Sequence, residues 1–232
     1  MIKPLYLLAD SQLLFWKEKD DWFASRIRAE IQAESPKAAY IGASNAGASE
    51  QASLDYYSLF RAAMDVIEIQ DCRMIASQPS KEDLAFVEAA DLLLLSGGDT
   101  EHGWRIFEQN GLKELIPQKR FDGAVLVGIS AGAVQLGMGA LTGTSQTASS
   151  MMKVTEMFRF APFYVGAHEE AEEWWNLRAL VNLSQGDARG IGIPAGGGAI
   201  YHPDGSLEPV RKPLTEFLKE GDKLSETLLM PS

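Results

Sequence analysis

A chain of 232 residues with 21 Lys and Arg against 32 Asp and Glu has a formal net charge of −11, which repels phosphate backbones and anionic bilayers, so neither nucleic acid nor a membrane is an expected partner. The single cysteine, Cys72, excludes an internal disulfide and a multi-cysteine metal site, and neither a metal nor a cofactor is expected. The apolar stretch near Met1 is too short for a membrane helix and lacks a signal-peptide cleavage pattern, which suits a cytoplasmic protein.

The length fits one α/β domain over residues 1–232. Leu5 to Ala9 reads as a first strand, and Trp22 to Ala33 as a helix with Trp22, Phe23, Ile27 and Ile31 at helical spacing. Ala38 to Gly42 is a second strand. It empties into Ala43 to Ser49, a small polar loop that is either a ligand loop at a strand's carboxyl end or an ordinary turn before a Ser49 cap. Leu54 to Met64 continues as a helix whose aromatic residues read as core. A third strand is expected at Val66 to Gln70, ending near Cys72.

Lys81 to Ala89 is an amphipathic helix leading into Asp91 to Ser96, an apolar run that fits a strand covered on both faces. Gly97-Gly98-Asp99-Thr100 follows. Two glycines there let backbone amides face a ligand, and Thr100 can cap the next helix. One strand later, Ala124 to Val127 runs into Gly128-Ile129-Ser130-Ala131-Gly132, which fits the G-x-S-x-G nucleophile elbow. The spacing has a steric cause: a sharp strand-to-helix turn strains the serine backbone, and larger residues two positions away on either side would collide. Acyl transfer also needs two oxyanion donors, and the N–H groups of Gly98 and Ala131 are the candidates beside Ser130.

Beyond the elbow, Gly137 to Ser150 reads as irregular and exposed. Phe163 to Ala167 is a strand ending in His168, and Glu169 to Val181 a helix with four glutamates at its start, favourable at the positive end of the dipole. Gly190 to Pro194 is a strand. His202-Pro203-Asp204-Gly205 is the turn of a hairpin between Ala199 to Tyr201 and Ser206 to Val210. Strands alternating with helices imply a mostly parallel sheet with a late hairpin added.

These residues resemble the peptidase E and cyanophycinase family of serine peptidases over most of the chain. Gly97-Gly98-Asp99-Thr100 is similar to its Gly-Gly-Asn-Thr segment, Gly128 to Ala133 to its G-x-S-A-G-A, and Ile191 to Pro194 to one of its late strands. The resemblance implies a flavodoxin-like or class I glutamine amidotransferase-like three-layer α/β sandwich with a C-terminal β-hairpin. It also implies hydrolysis of a small peptide or amino-acid-derived amide, with Ser130 as nucleophile, His168 as base, and Gly97, Gly98, Asp99 and Ala131 around the oxyanion and substrate. His102 and His202 are then bystanders.

Three departures from that pattern bear on chemistry. Asp99 replaces the Asn beside the substrate; Ala195 stands where the family carries its triad Glu; and the arginines that grip an aspartyl side chain are not evident, since the matching stretch is Glu169 to Asn176 with only Arg178 just beyond it. Aspartyl specificity is therefore not expected, and neutral or basic amino-terminal residues should be preferred. Glu169, Glu170 and Glu156 are candidate substitutes for the acid. The competing readings are a degenerate, non-catalytic binding protein of the same fold and an esterase using Ser130, Asp187 and His202; a glutaminase of the amidotransferase type would carry cysteine at the elbow, where this chain has Ser130, and Cys72 lies at an earlier strand end.

Overall fold

The structure, a computed structural model, describes residues 1–45, 49–143 and 152–231. In chain order, β1 (Leu5–Leu8) is followed by a 3-10 turn at Ser11–Phe15, β2 (Lys17–Glu18), β3 (Asp21–Trp22) and α1 (Phe23–Ala29). Then come β4 (Lys37–Ile41), a 3-10 turn at Ala43–Asn45, α2 (Glu50–Val66), β5 (Asp71–Ile75), α3 (Lys81–Ala89) and β6 (Leu92–Leu95). The central stretch contains α4 (Thr100–Asn110), α5 (Leu112–Phe121), β7 (Val125–Ile129), α6 (Ala131–Leu136), β8 (Gly139–Thr142) and β9 (Lys153–Glu156). The last part holds β10 (Tyr164–Ala167), α7 (Trp175–Leu183), β11 (Ala188–Ile193), β12 (Gly198–Tyr201), β13 (Leu207–Val210), β14 (Leu214–Glu220) and β15 (Lys223–Leu229).

The main sheet has the order β13-β12-β1-β7-β6-β4-β5. Its strands from β1 to β5 are parallel, and β12 and β13 add an antiparallel edge. The four consecutive leucines of β6 explain its place in the middle. Leu93 and Leu95 pack on one face with Phe107, Ile116 and Leu136, while Leu92 and Leu94 pack on the other with Phe23, Ile27 and Phe60. Each fully buried aliphatic side chain contributes roughly 1.5–3 kcal/mol, so a strand apolar on both faces is stable only between two helical layers.

A second sheet, β10-β11-β14-β15, starts with a parallel pair and finishes antiparallel. Trp174, Leu177, Val181 and Phe217 form its core with α7. Among the described residues no helix is long and apolar enough to cross a membrane.

Several sequence expectations shift. Val66 ends α2 instead of starting a strand, because Ile67 and Ile69 turn into the core beside that helix; the strand begins at Asp71 on the sheet edge. Residues 139–142 form a strand, and Gly139, Ala140 and Thr142 are buried, because β8 pairs with β9; residues 144–150 of the expected irregular segment lie outside the described residues. The helix expected from Glu169 is broken. Glu170–Glu172 form a 3-10 turn, and Glu173 and Trp174 adopt left-handed backbone before α7 begins. Burial of the Trp174 ring against Gly192 accounts for the break, since a Cβ on Gly192 would lie 2.8 Å from that ring.

Candidate active site

The carboxyl ends of β1, β4, β6 and β7 converge, as ligand sites in open parallel sheets do. Ser130 follows β7 directly, with φ 50° and ψ −113°, and its N–H donates to the Leu8 carbonyl at 2.9 Å. The helix after it fits only because residue 132 lacks a side chain. A Cβ on Gly132 would lie 2.2 Å from the Leu95 carbonyl oxygen, and one on Gly128 would lie 2.6 Å from the Gly132 backbone. The glycine spacing of the elbow is thus a packing requirement between β6, β7 and α6.

His168 follows β10, and its N–H donates to the Ile193 carbonyl at 2.9 Å. Its φ is 48°. Ser130 Oγ and His168 Nε2 lie 2.7 Å apart; with Nε2 unprotonated, the hydroxyl donates to it. Both residues occupy backbone regions that cost about 1–3 kcal/mol each, a feature concentrated at functional sites. Among the described residues, no side chain hydrogen-bonds to the other ring nitrogen, Nδ1.

The β6 loop lies against the elbow, and a Cβ on Gly97 would sit 3.3 Å from Ser130 Cβ. Gly98 has φ +126°, and a Cβ there would strike the Ser44 carbonyl oxygen at 2.1 Å, so only glycine serves. Ala131 is the first residue of α6, and its N–H has no partner within the helix. Asp99, not Thr100, caps α4: its Oδ1 accepts from the His102 N–H at 2.7 Å. Asp and Asn cap equally well, and the aspartate adds negative charge at the helix's positive end.

Ser130 and His168 border a cavity of about 610 Å³ that also reaches Gly97, Gly98, Asp99, Asn45 and Ser96. Ser44 and Asn45, from the loop after β4 that reads equally as ligand loop or turn, line it; residues 46–48 lie outside the described residues. Ser96 carries no motif that marks it in the sequence. Nor does Gln135, whose buried Nε2 donates to Ser44 Oγ at 3.0 Å and to the Thr100 carbonyl at 3.1 Å. A lone glutamine in the apolar Ala131–Leu136 segment is the available signal. Tyr40 receives a 2.7 Å bond from Asn45 Nδ2; burial pushes its phenol pKa up, while Asn45 and the nearby Ser96 hydroxyl hold it down.

The candidate acids fall in different places. Glu156 pairs with Arg159 at 3.0 Å on the surface. Glu170 Oε1 accepts from the Ala195 N–H at 2.9 Å, so its carboxylate lies beside the position where the resemblance places a glutamate. Glu169 lines a separate cavity with Asn176, whose Nδ2 donates to its Oε1 at 3.0 Å, and among the described residues its buried Oε2 has no partner within 3.5 Å. Burial raises the Glu169 pKa, against the hydrogen bonds from Asn176 and the Leu177 N–H and the neighbouring His168 charge. A raised folded-state pKa means that ionisation destabilises the fold once pH exceeds the unfolded value, about 4.3. Glu169→Gln should therefore raise Tm at pH 7, with the difference vanishing below about pH 4. Calorimetry at the two pH values checks this; a difference independent of pH would contradict it.

The esterase residues do not assemble into a site, and Cys72 lies away from the elbow. His202 Nε2 lies 3.0 Å from Glu208, and Asp187 accepts from the Gly221 N–H. Cys72 Sγ donates to the Ile69 carbonyl on the edge strand, and burial pushes its thiol up to about 11. Arg178 stacks over Phe217 and borders a different cavity.

Fold and site together define an α/β protein of the flavodoxin-like class built around a serine and histidine at the sheet's carboxyl edge. The model of peptidase family S51 matches residues 6–210, and the chain belongs to that family. Its structure is similar to that of a peptidase from an acI-B1 Actinobacterium, with TM-score 0.75 and 19% identity, covering 100% of this chain and 96% of that one. It is also similar to a putative peptidase E protein from Listeria monocytogenes EGD-e, with TM-score 0.61 and 13% identity, covering 99% of this chain and 100% of that one. No curated protein matches. Family membership supports a peptidase function.

Proposed function

We propose that the protein is a serine hydrolase that cleaves a short peptide or amino-acid amide through an acyl-enzyme on Ser130. The observation that carries this is the 2.7 Å contact between Ser130 Oγ and His168 Nε2 at the edge of a large cavity. Ser130 Oγ attacks the amide carbonyl carbon as His168 Nε2 takes its proton. The oxyanion is held by the Gly98 and Ala131 N–H groups, the amine leaves with the proton from His168, and water, deprotonated by the same nitrogen, releases the acid. Rapid mixing with an amino-acid p-nitrophenyl ester should give a burst of one equivalent and an acyl mass on Ser130. Release no faster than the uncatalysed hydrolysis of the ester, with neither burst nor adduct, would favour the non-catalytic reading.

The pair works as a dyad in this reading. A triad acid fixes the histidine tautomer and stabilises the imidazolium, and spoiling that function costs a trypsin-like serine protease about 10⁴-fold in kcat. Ala195 cannot do this. Its turn is nevertheless held firmly: the Gly196 N–H donates to Asp10 at 2.6 Å and Lys212 Nζ to the Ala195 carbonyl at 2.6 Å. Ala195→Glu should therefore raise the acylation rate, by about tenfold, with repulsion from Glu170 and Asp10 limiting the gain. Glu170→Ala should change the rate little. A rate lowered by Ala195→Glu and abolished by Glu170→Ala would instead make Glu170 the working acid.

A further inference from the structure

The cavity beside Ser130 has an unusual lining for a family whose resemblance points to aspartyl substrates. One wall is aromatic and aliphatic: Tyr40 and Phe60 are buried, whereas Tyr56 and Leu59 stand 51% and 43% exposed on α2. Large apolar side chains left open over a cavity mark a surface that a ligand covers. The buried end is polar but uncharged. Ser96 is only 2% exposed, and among the described residues its Oγ, beside Asn45 and near enough to the Tyr40 hydroxyl to lower its pKa, has no partner within 3.5 Å. A buried hydroxyl without a partner costs stability unless something supplies one.

Charge decides which part of a peptide belongs there. Among the described lining residues the anionic side chains are Asp10 and Asp99, and none is a lysine or arginine. A carboxylate, whether an aspartyl side chain or a peptide's C-terminus, is repelled by that pair, whereas an α-ammonium is attracted.

Resting on the serine-hydrolase reading, we propose that this cavity takes the amino-terminal residue of the substrate and selects a large uncharged side chain. The ammonium is drawn to Asp10 and Asp99, the side chain packs against Tyr56, Leu59 and Phe60, and a polar tip such as a tyrosine hydroxyl meets Ser96. The substrate class is therefore a short peptide with a free amino-terminal tyrosine, phenylalanine or leucine.

The test is kcat/KM across Xaa-Ala dipeptides with Tyr, Phe, Leu, Ala, Lys and Asp at the first position. Tyr, Phe and Leu should exceed Ala by roughly a hundredfold; Asp should be poor, and Lys too, in place of the basic preference expected from the sequence, because its side-chain ammonium would be desolvated against Tyr56, Leu59 and Phe60. Tyr should exceed Phe by about three- to tenfold, an advantage lost in Ser96→Ala. N-acetylation of Phe-Ala should cost about tenfold or more, on the order of one favourable charge contact. Leu59→Trp, which narrows the cavity, should shift the ranking toward Ala-Ala. If turnover is undetectable, the same ranking is read as dissociation constants by calorimetry on Ser130→Ala. A best substrate of Asp-Ala or Ala-Ala, or a ranking unmoved by Leu59→Trp, overturns the proposal even when Ser130 is acylated. Absent acylation with the binding order intact would overturn the hydrolytic reading alone.

Discussion

His168→Ala is expected to lower acylation of Ser130 by about 10²–10⁴-fold, the range for removal of a positioned general base. Among the described residues no other side chain is hydrogen-bonded to the hydroxyl to take its proton; His168 Nε2 approaches it at 2.7 Å. The fall should be smaller than in enzymes with a full triad if, as proposed, the histidine acts without an acid at Nδ1. His202→Ala provides the contrast. His202 is held by Glu208, which also takes both Nη atoms of Arg26 at 2.8 Å, far from the reacting pair in the hydrogen-bond pattern. Its loss should leave kcat/KM within about twofold. Burst amplitudes and kcat/KM for both variants decide the matter, and the reverse pattern would return the esterase reading.

Gly132→Ala is expected to damage fold and activity together. The new methyl would lie 2.2 Å from the Leu95 carbonyl oxygen and 2.9 Å from Leu95 Cβ. Leu95 cannot retreat, since β6 is fully buried and hydrogen-bonded to β4 on one side and β7 on the other. The strain must therefore move α6, and with it the Ser130 turn and the Ala131 N–H. Overpacking of this kind costs about 1–3 kcal/mol, which for a chain of this size lowers Tm by roughly 2–10 °C. A displacement near 1 Å can cost about 10²-fold in rate. Calorimetry and kcat/KM measured well below Tm separate the two effects. Wild-type values for both would show that the elbow tolerates a side chain.

The legible parts of the sequence are those set by local sterics and two-sided burial. Leu92–Leu95 and Val125–Ile129 read as central strands because a run apolar at every position fits only between two layers. Gly128, Ser130 and Gly132 announce the elbow because their spacing answers a collision within one turn. His168 is different. Nothing between Phe163 and His168 encodes a contact with a serine 38 residues earlier, and its assignment comes from the family resemblance.

The second sheet is hard to read beyond its first strands because β14 and β15 carry Lys, Glu and Thr through their alternation, leaving a weak apolar signal. The break at Glu173 and Trp174 is hidden by residues that keep helical spacing while a tertiary contact, Trp174 on Gly192, dictates left-handed backbone. Ser96 and Gln135 escape a sequence reading for the same reason: their roles depend on partners brought close only by the fold.

The proposed mechanism stands or falls on Ser130 being an activated nucleophile. Treatment of the native protein with an alkyl fluorophosphonate, followed by intact mass and peptide mapping, tests it most directly. A single adduct on Ser130, absent in Ser130→Ala and strongly slowed in His168→Ala, is the predicted result. No adduct under conditions that label a known serine hydrolase, or an adduct on any other residue, would contradict it.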